Sequence, residues 1–111
     1  MVQNTKIRTI GIGKNTSMSI SITIGNAQPA NTSIYHNGNL LSSVNGDFTY
    51  TVDNVAAGHK ISVVTTASDI PQNADIIVVT HSVQSPPDTV NYNDKVDPND
   101  IAINTTKYYL V

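Results

Sequence analysis

SIYHNGNLLSSVNGDFTYTV, residues 33–52, holds two Asn-Gly pairs eight residues apart, Asn37-Gly38 and Asn45-Gly46. Each is flanked by residues that favour extended backbone. Asn-Gly supplies the positive φ angles of a type I′ turn, the tight connection between antiparallel strands. After the second pair, Phe48, Tyr50 and Val52 alternate with Thr49 and Thr51. Alternation with a period of two marks a strand with one face buried and one face wet. The stretch therefore predicts three short antiparallel strands in a meander.

Upstream, Met18, Ile20, Ile22 and Ile24 alternate with Ser19, Ser21 and Thr23, a second clear strand. Residues 6–12 form a weaker extended segment, interrupted by Gly11 and Gly13, and residues 25–31 are a Gly, Pro and Asn loop. Downstream, Val55 to Gly58 is a turn and Lys60–Ser68 a strand with Ile61 and Val63 in phase. Ile76 to Val79 is apolar on both phases, as expected of a central strand or a sheet junction. Residues 84–88, with Pro86 and Pro87, stop it. Residues 69–75 and 97–100 are loops, 90–96 is ambiguous, and 101–104 and 107–111 are the last extended pieces. No helix longer than a turn is expected.

Composition agrees. The chain has 13 Ile and 12 Val but 3 Leu, with 13 Thr, 13 Asn and 10 Ser, and all eight acids are Asp. β-branched residues suit a pleated surface; Asn, Asp and Ser suit turns. The expected fold is all-β: an antiparallel β-sandwich of seven to nine short strands, immunoglobulin-like or jelly-roll, with a small barrel as the other closure. One domain over 1–111 is expected, with 1–12 as an N-terminal arm or edge strand. The expected core is Ile20, Ile22, Ile34, Phe48, Tyr50, Val52, Ile61, Val63, Ile77, Val79, Ile103 and Leu110.

The run N-G-x(7)-G-D-F-T-Y-T-V-x(5)-G-H-K-I-S-V-x-T-x-A-S-D, from Asn37 to Asp69, resembles the middle of bacterial immunoglobulin-like surface modules. It covers about a third of the chain and consists mostly of strand alternation and turn glycines. The resemblance implies a non-enzymatic spacer, adhesion or glycan-binding unit. The polar, proline-rich stretch 84–100 departs from that pattern, and a jelly-roll subunit of a surface fibre has a similar one.

Net charge is −2, and the six Lys and Arg are scattered. Nucleic-acid binding needs clustered cations, so no such partner is expected. No apolar run approaches the roughly 18 residues of a membrane span, so no membrane insertion is expected. The absence of cysteine excludes disulfides, thiol nucleophiles and Cys-type zinc sites. The N-terminal residues lack the apolar core of a signal peptide; an extracellular or cell-surface location is nonetheless favoured.

The densest set of hard ligands lies in 86–100. Asp88, Asn93, Asp94, Asp97 and Asp100 could supply the oxygens that calcium needs, although the spacing is not that of an EF-hand. The plain alternative, a solvated turn-rich loop, is preferred, and calcium is the one cofactor entertained. His36, His59 and His81 fall on three different strands or strand edges, with no H-x-H or H-x-x-x-H pair, so no histidine metal site is expected. No nucleophile elbow, phosphate loop or paired-acid spacing is present, and enzymatic activity is not expected. Exposed tyrosine beside Asn can bind sugar, which makes Tyr35, His36, Asn37 and Tyr92 candidate ligand-binding residues. Ile7, Ile10 and Ile12 are candidates for self-association by strand addition to a neighbour.

Charged residues are 13% of the chain, well below the usual quarter. A surface so rich in Ser, Thr and Asn tolerates assembly. The expectation is a non-catalytic structural or interaction module of a cell-surface or fibre assembly, partnered by copies of itself or another surface protein. The alternative is a carbohydrate-binding module or lectin, possibly calcium-dependent, with a glycan as partner.

Overall fold

The computed structural model describes residues 1–25, 30–68, 77–81, 87–94 and 100–111, with 77–81 described by backbone alone. Nine strands lie among them: β1 (Val2–Ile10), β2 (Ser17–Ile24), β3 (Ala30–His36), β4 (Asn39–Asn45), β5 (Phe48–Asp53), β6 (Lys60–Ser68), β7 (Ile77–His81), β8 (Asp88–Tyr92) and β9 (Ile101–Leu110). They form two sheets, a five-stranded one in the order β1-β9-β6-β3-β4 and a four-stranded one in the order β5-β2-β7-β8. The side chains of the expected core residues Ile77 and Val79 and of His81, the expected loop at 69–75, residues 84–86, and Asp97 with the rest of 95–99 lie outside the described residues.

The alternating strands turn their apolar phase inward. Met18, Ile20 and Ile22 from β2 and Val52 from β5 share one buried cluster with Ile34, Ile61, Val63, Tyr108 and Leu110 from the larger sheet. Each such aliphatic side chain contributes about 1.5–3 kcal/mol on leaving water. Phe48 and Tyr50 are only partly buried and flank the cluster. Within it, the Thr32 and Thr65 hydroxyls meet at 2.7 Å, so neither is left unsatisfied.

Three expectations are corrected. First, the strands are not all antiparallel, because β1 runs parallel to β9 from Val2↔Ala102 to Ile10↔Leu110. Secondly, residues 33–52 are not a meander. β3 and β4 pair antiparallel, but β5 leaves for the other sheet and pairs with β2. The two Asn-Gly pairs differ accordingly. Asn37 and Gly38 both have positive φ, 50° and 87°, as a type I′ hairpin requires. At the second pair only Gly46 does, at 76°, and the chain turns a corner between sheets there. Asp47 helps fix that corner by accepting a 2.8 Å hydrogen bond from the Ile24 amide.

Thirdly, residues 101–104 and 107–111 are not separate pieces. β9 is continuous, and its inward phase is Ala102, Asn104, Thr106, Tyr108 and Leu110. Ile103 therefore faces outward, half-buried. The hydrophobic alternation of this strand inverts midway because its first half faces a polar seam.

Gly38→Ala forces a left-handed backbone on a residue with a Cβ and is expected to lower the unfolding free energy by about 1–2 kcal/mol. Gly11 has open space around it and no positive φ, and Gly11→Ala is expected to leave stability unchanged or raise it by up to about 1 kcal/mol. Urea denaturation of both variants checks this, and equal losses would contradict the turn assignment.

Candidate functional site

β1 is an edge of the larger sheet and β8 an edge of the smaller. The inward phase of β1 is Val2, Asn4, Lys6, Arg8 and Ile10. Its three polar members reach β8 and the residues just after it in order. The Arg8 Nε lies 3.0 Å from Asp88 Oδ2. Lys6 donates through Nζ to the Asn91 carbonyl and places that ammonium 4.7 Å from the centre of the Tyr92 ring. Asn4 donates through Nδ2 to Asp94 Oδ1 at 2.5 Å and to Asn104 Oδ1 at 3.0 Å. Asn104 completes the triangle by donating to Asp94 Oδ2 at 2.6 Å. Asn4 and Asn104 are register partners on β1 and β9, so adjacent strands deliver both amides to one carboxylate. Asp94 is 5% exposed, and each of its oxygens accepts a charge-assisted hydrogen bond.

A shallow cleft of roughly 270 Å³ opens along this seam, lined by Asn4, Lys6, Asn91, Tyr92, Asn93 and Asp94. Tyr92, Asn93 and Asp94, candidates from the sequence, do come together here. Their availability differs from the expectation. Tyr92 is 3% exposed, and its hydroxyl donates to the Thr105 carbonyl at 2.7 Å and lies 2.8 Å from Thr106 Oγ1. A ring held this way braces β8 against β9 and offers no open face for stacking a sugar. The candidate calcium ligands are committed elsewhere: Asp94 to two amides, Asp88 to Arg8, and Asp100 to the N-terminal ammonium at 2.7 Å. Hydrogens aimed at a carboxylate oxygen occupy the lone pairs that a cation would use. Asn93 is exposed at the cleft, and Asp97 lies outside the described residues.

The second cluster is at the hairpin corner. Tyr35, His36 and Asn37 all lie there, and the fold adds His59, which the sequence left on a separate element. His36 Nε2 and His59 Nδ1 are 2.8 Å apart. Partial burial, and then the proximity of His59, push the His36 pKa below its ordinary value. Asn37 Oδ1 accepts from the Lys60 amide at 2.8 Å, so this side chain has a structural task. Tyr35 is half-buried on the outward face.

Of the self-association candidates, Ile10 and Ile12 are 2% and 3% exposed inside this chain's own core. Ile7 is on the opposite phase of β1 and is 59% exposed. Val2–Ile10, within the 1–12 segment, is the edge strand β1 of the larger sheet. Among the described residues no group of three His, Asp or Glu side chains converges.

No protein-family model, curated protein or solved structure matches the chain.

Asp94→Ala strips both amides of a charged acceptor and is expected to lower the unfolding free energy by about 2–3 kcal/mol. A double-mutant cycle with Asn4→Ala should show coupling, and strictly additive losses would contradict the triangle. The phenols give a pH prediction. Burial raises the pKa of Tyr92 above the ordinary 10.0 against the opposing Thr106 hydrogen bond, and burial, aided by Asp88, raises that of Tyr108. Above that pH the unfolded chain ionises these phenols while the folded chain keeps them protonated, so stability falls as pH rises past about 10. In Tyr108→Phe the decline is expected to be shallower, as read by denaturation midpoints across that range.

Proposed function

We propose that this chain is a non-catalytic structural or interaction module, an immunoglobulin-like β-sandwich that self-associates as part of a cell-surface or fibre assembly. The strand order supports the sandwich reading. β2 and β5 pair antiparallel in one sheet, and β9, β6, β3 and β4 are consecutive neighbours in the other. Immunoglobulin sandwiches arrange their B–E and G–F–C–C′ strands in this way. The departure is the β7–β8 hairpin, inserted between β6 and β9, which takes the place beside β2 that the first immunoglobulin strand would fill.

The observation that carries self-association is the edge of β4. Asn39–Asn45 has no charged residue and no proline, and its outer side has no strand beside it among the described residues. Leu40 and Leu41 are 58% and 39% exposed. Soluble β-proteins ordinarily guard such edges with charge, proline or a covering element, because unpaired backbone groups recruit another strand. β5, the other outer edge on this side, ends on Asp53 and follows Asp47. Register continues Leu40 across the outward face through Tyr35, Ser62 and Lys107 to Ile7. That row holds a single charge and three large side chains suited to contact. The partner that fits is a second copy, or a surface protein offering an equally neutral strand. The carbohydrate-binding alternative finds less support, since Tyr92 is buried and Asp94 is committed to amides.

Light scattering behind a sizing column should give a mass that rises above the 11.9 kDa of the single chain as concentration increases. Leu40→Lys and Ser43→Lys should each return it towards that value without unfolding the domain. A wild-type monomer at every concentration would overturn the reading.

A further inference from the structure

Among the described residues, two histidines are brought together that 22 intervening positions separate in the sequence. His36 closes β3 and His59 immediately precedes β6, and the antiparallel register of these strands carries both to one corner. Their rings do not stack. The centroids are 4.9 Å apart, the planes are inclined by 50°, and Nε2 of one meets Nδ1 of the other at 2.8 Å. An sp² ring nitrogen carries its lone pair in the ring plane, pointing outward. Two such nitrogens facing each other therefore aim at one point between them. At 2.8 Å one hydrogen bridges the two nitrogens, and either ring can be its donor.

A metal ion shared by the two rings would lie beside the line joining these nitrogens rather than on it. Zinc binds imidazole nitrogen at about 2.0–2.1 Å, which at a tetrahedral angle sets two ligating nitrogens roughly 3.3 Å apart. The pair would have to open by about half an ångström, and each ring would have to turn about its χ angles so that its lone pair points to the ion. The backbones need not move, because hydrogen bonds already fix them. The Asn37 amide donates to the Lys60 carbonyl at 2.8 Å, and the Lys60 amide returns to Asn37 Oδ1 at 2.8 Å. On the other side the His59 amide donates to Ala56 at 3.1 Å, and its carbonyl accepts from Leu110 at 3.0 Å. Ligands held in this way lose little further freedom on binding. Both histidines are half-buried, hence partly dry and still open to an arriving ion.

We propose that His36 and His59 form a bidentate site for a borderline divalent ion of the Zn²⁺, Ni²⁺ or Cu²⁺ class. Imidazole selects these ions over Ca²⁺ and Mg²⁺, which prefer oxygen. No third His, Asp or Glu converges on the pair among the described residues, so the remaining coordination positions stay with water or a donor from another molecule. The site uses different residues from the β4 edge, and it stands or falls independently of self-association.

Calorimetric titration with NiCl₂ or ZnCl₂ at neutral pH should give one saturable ion per chain. Even outer-shell partners of a metal ligand are worth about 10–100-fold in affinity, so His36→Gln and His59→Gln should each weaken binding at least tenfold. Circular dichroism checks that both variants fold. In the wild-type chain, NMR should show the ring C–H resonances of His36 and His59 shifting with added ion while those of His81 stay in place. Absence of saturable binding, equal affinity in the variants, or shifts confined to His81 would each overturn the site.

Discussion

A single carboxylate fixes how the two sheets meet on one side. Asp94 is buried, and a buried charge is tolerated only where hydrogen bonds replace its lost hydration. The amides of Asn4 and Asn104 do this, one on each oxygen. Because those residues are register partners, the carboxylate pins β1 beside β9 and ties both to the end of β8. Arg8 with Asp88 and Lys6 with Asn91 extend the contact along β1. An edge strand of one sheet is thereby laced to an edge strand of the other. The consequence falls on the far side of the molecule, where β4 and β5 remain as outer strands.

Both outward faces carry cross-strand pairs of hydroxyl or amide side chains. On the smaller sheet, Ser19 and Thr51 hydroxyls lie 3.3 Å apart and those of Ser21 and Thr49 3.1 Å. On the larger sheet, Asn31 donates to Asn45 at 3.0 Å, and Ser43 bonds both Ser33 and Asn31. These cross-strand pairs satisfy side chains within the sheet and leave a neutral surface. Such a surface neither repels a copy of itself nor steers a charged partner over distance. Contact then depends on shape and backbone pairing, which is why the uncharged edge of β4 dominates the functional reading.

Legibility in the sequence tracked the burial of apolar faces. β2 and β6 each bury one alternating phase, and Ile20, Ile22, Ile61 and Val63 could be named directly from period-two spacing; β5 follows the same phase but buries fully only Val52. β1 and β9 defeated that rule. Their inward positions include Asn4, Lys6, Arg8, Asn104 and Thr106, whereas Ile7 and Ile103 face outward. A polar seam reverses the hydrophobic signal, and nothing in a linear pattern announces the seam before the strands that form it are placed. The same holds for the 86–100 segment. It was recognisable as rich in oxygen ligands, but the amides and cations that occupy Asp88, Asp94 and Asp100 come from β1, β9 and the N-terminus.

By itself the sequence determined the local chemistry: an all-β chain, the strand at Lys60–Ser68, and the type I′ corner at Asn37-Gly38 that only residues tolerant of positive φ can make. Those properties depend on a residue and its immediate neighbours. The tertiary structure alone decided the parallel pairing of β1 with β9, the departure of β5 to the second sheet, the closure around Asp94 and the meeting of His36 with His59. Each joins positions distant along the chain, and such a contact has no local signature because its stabilising partner is absent until the fold has formed.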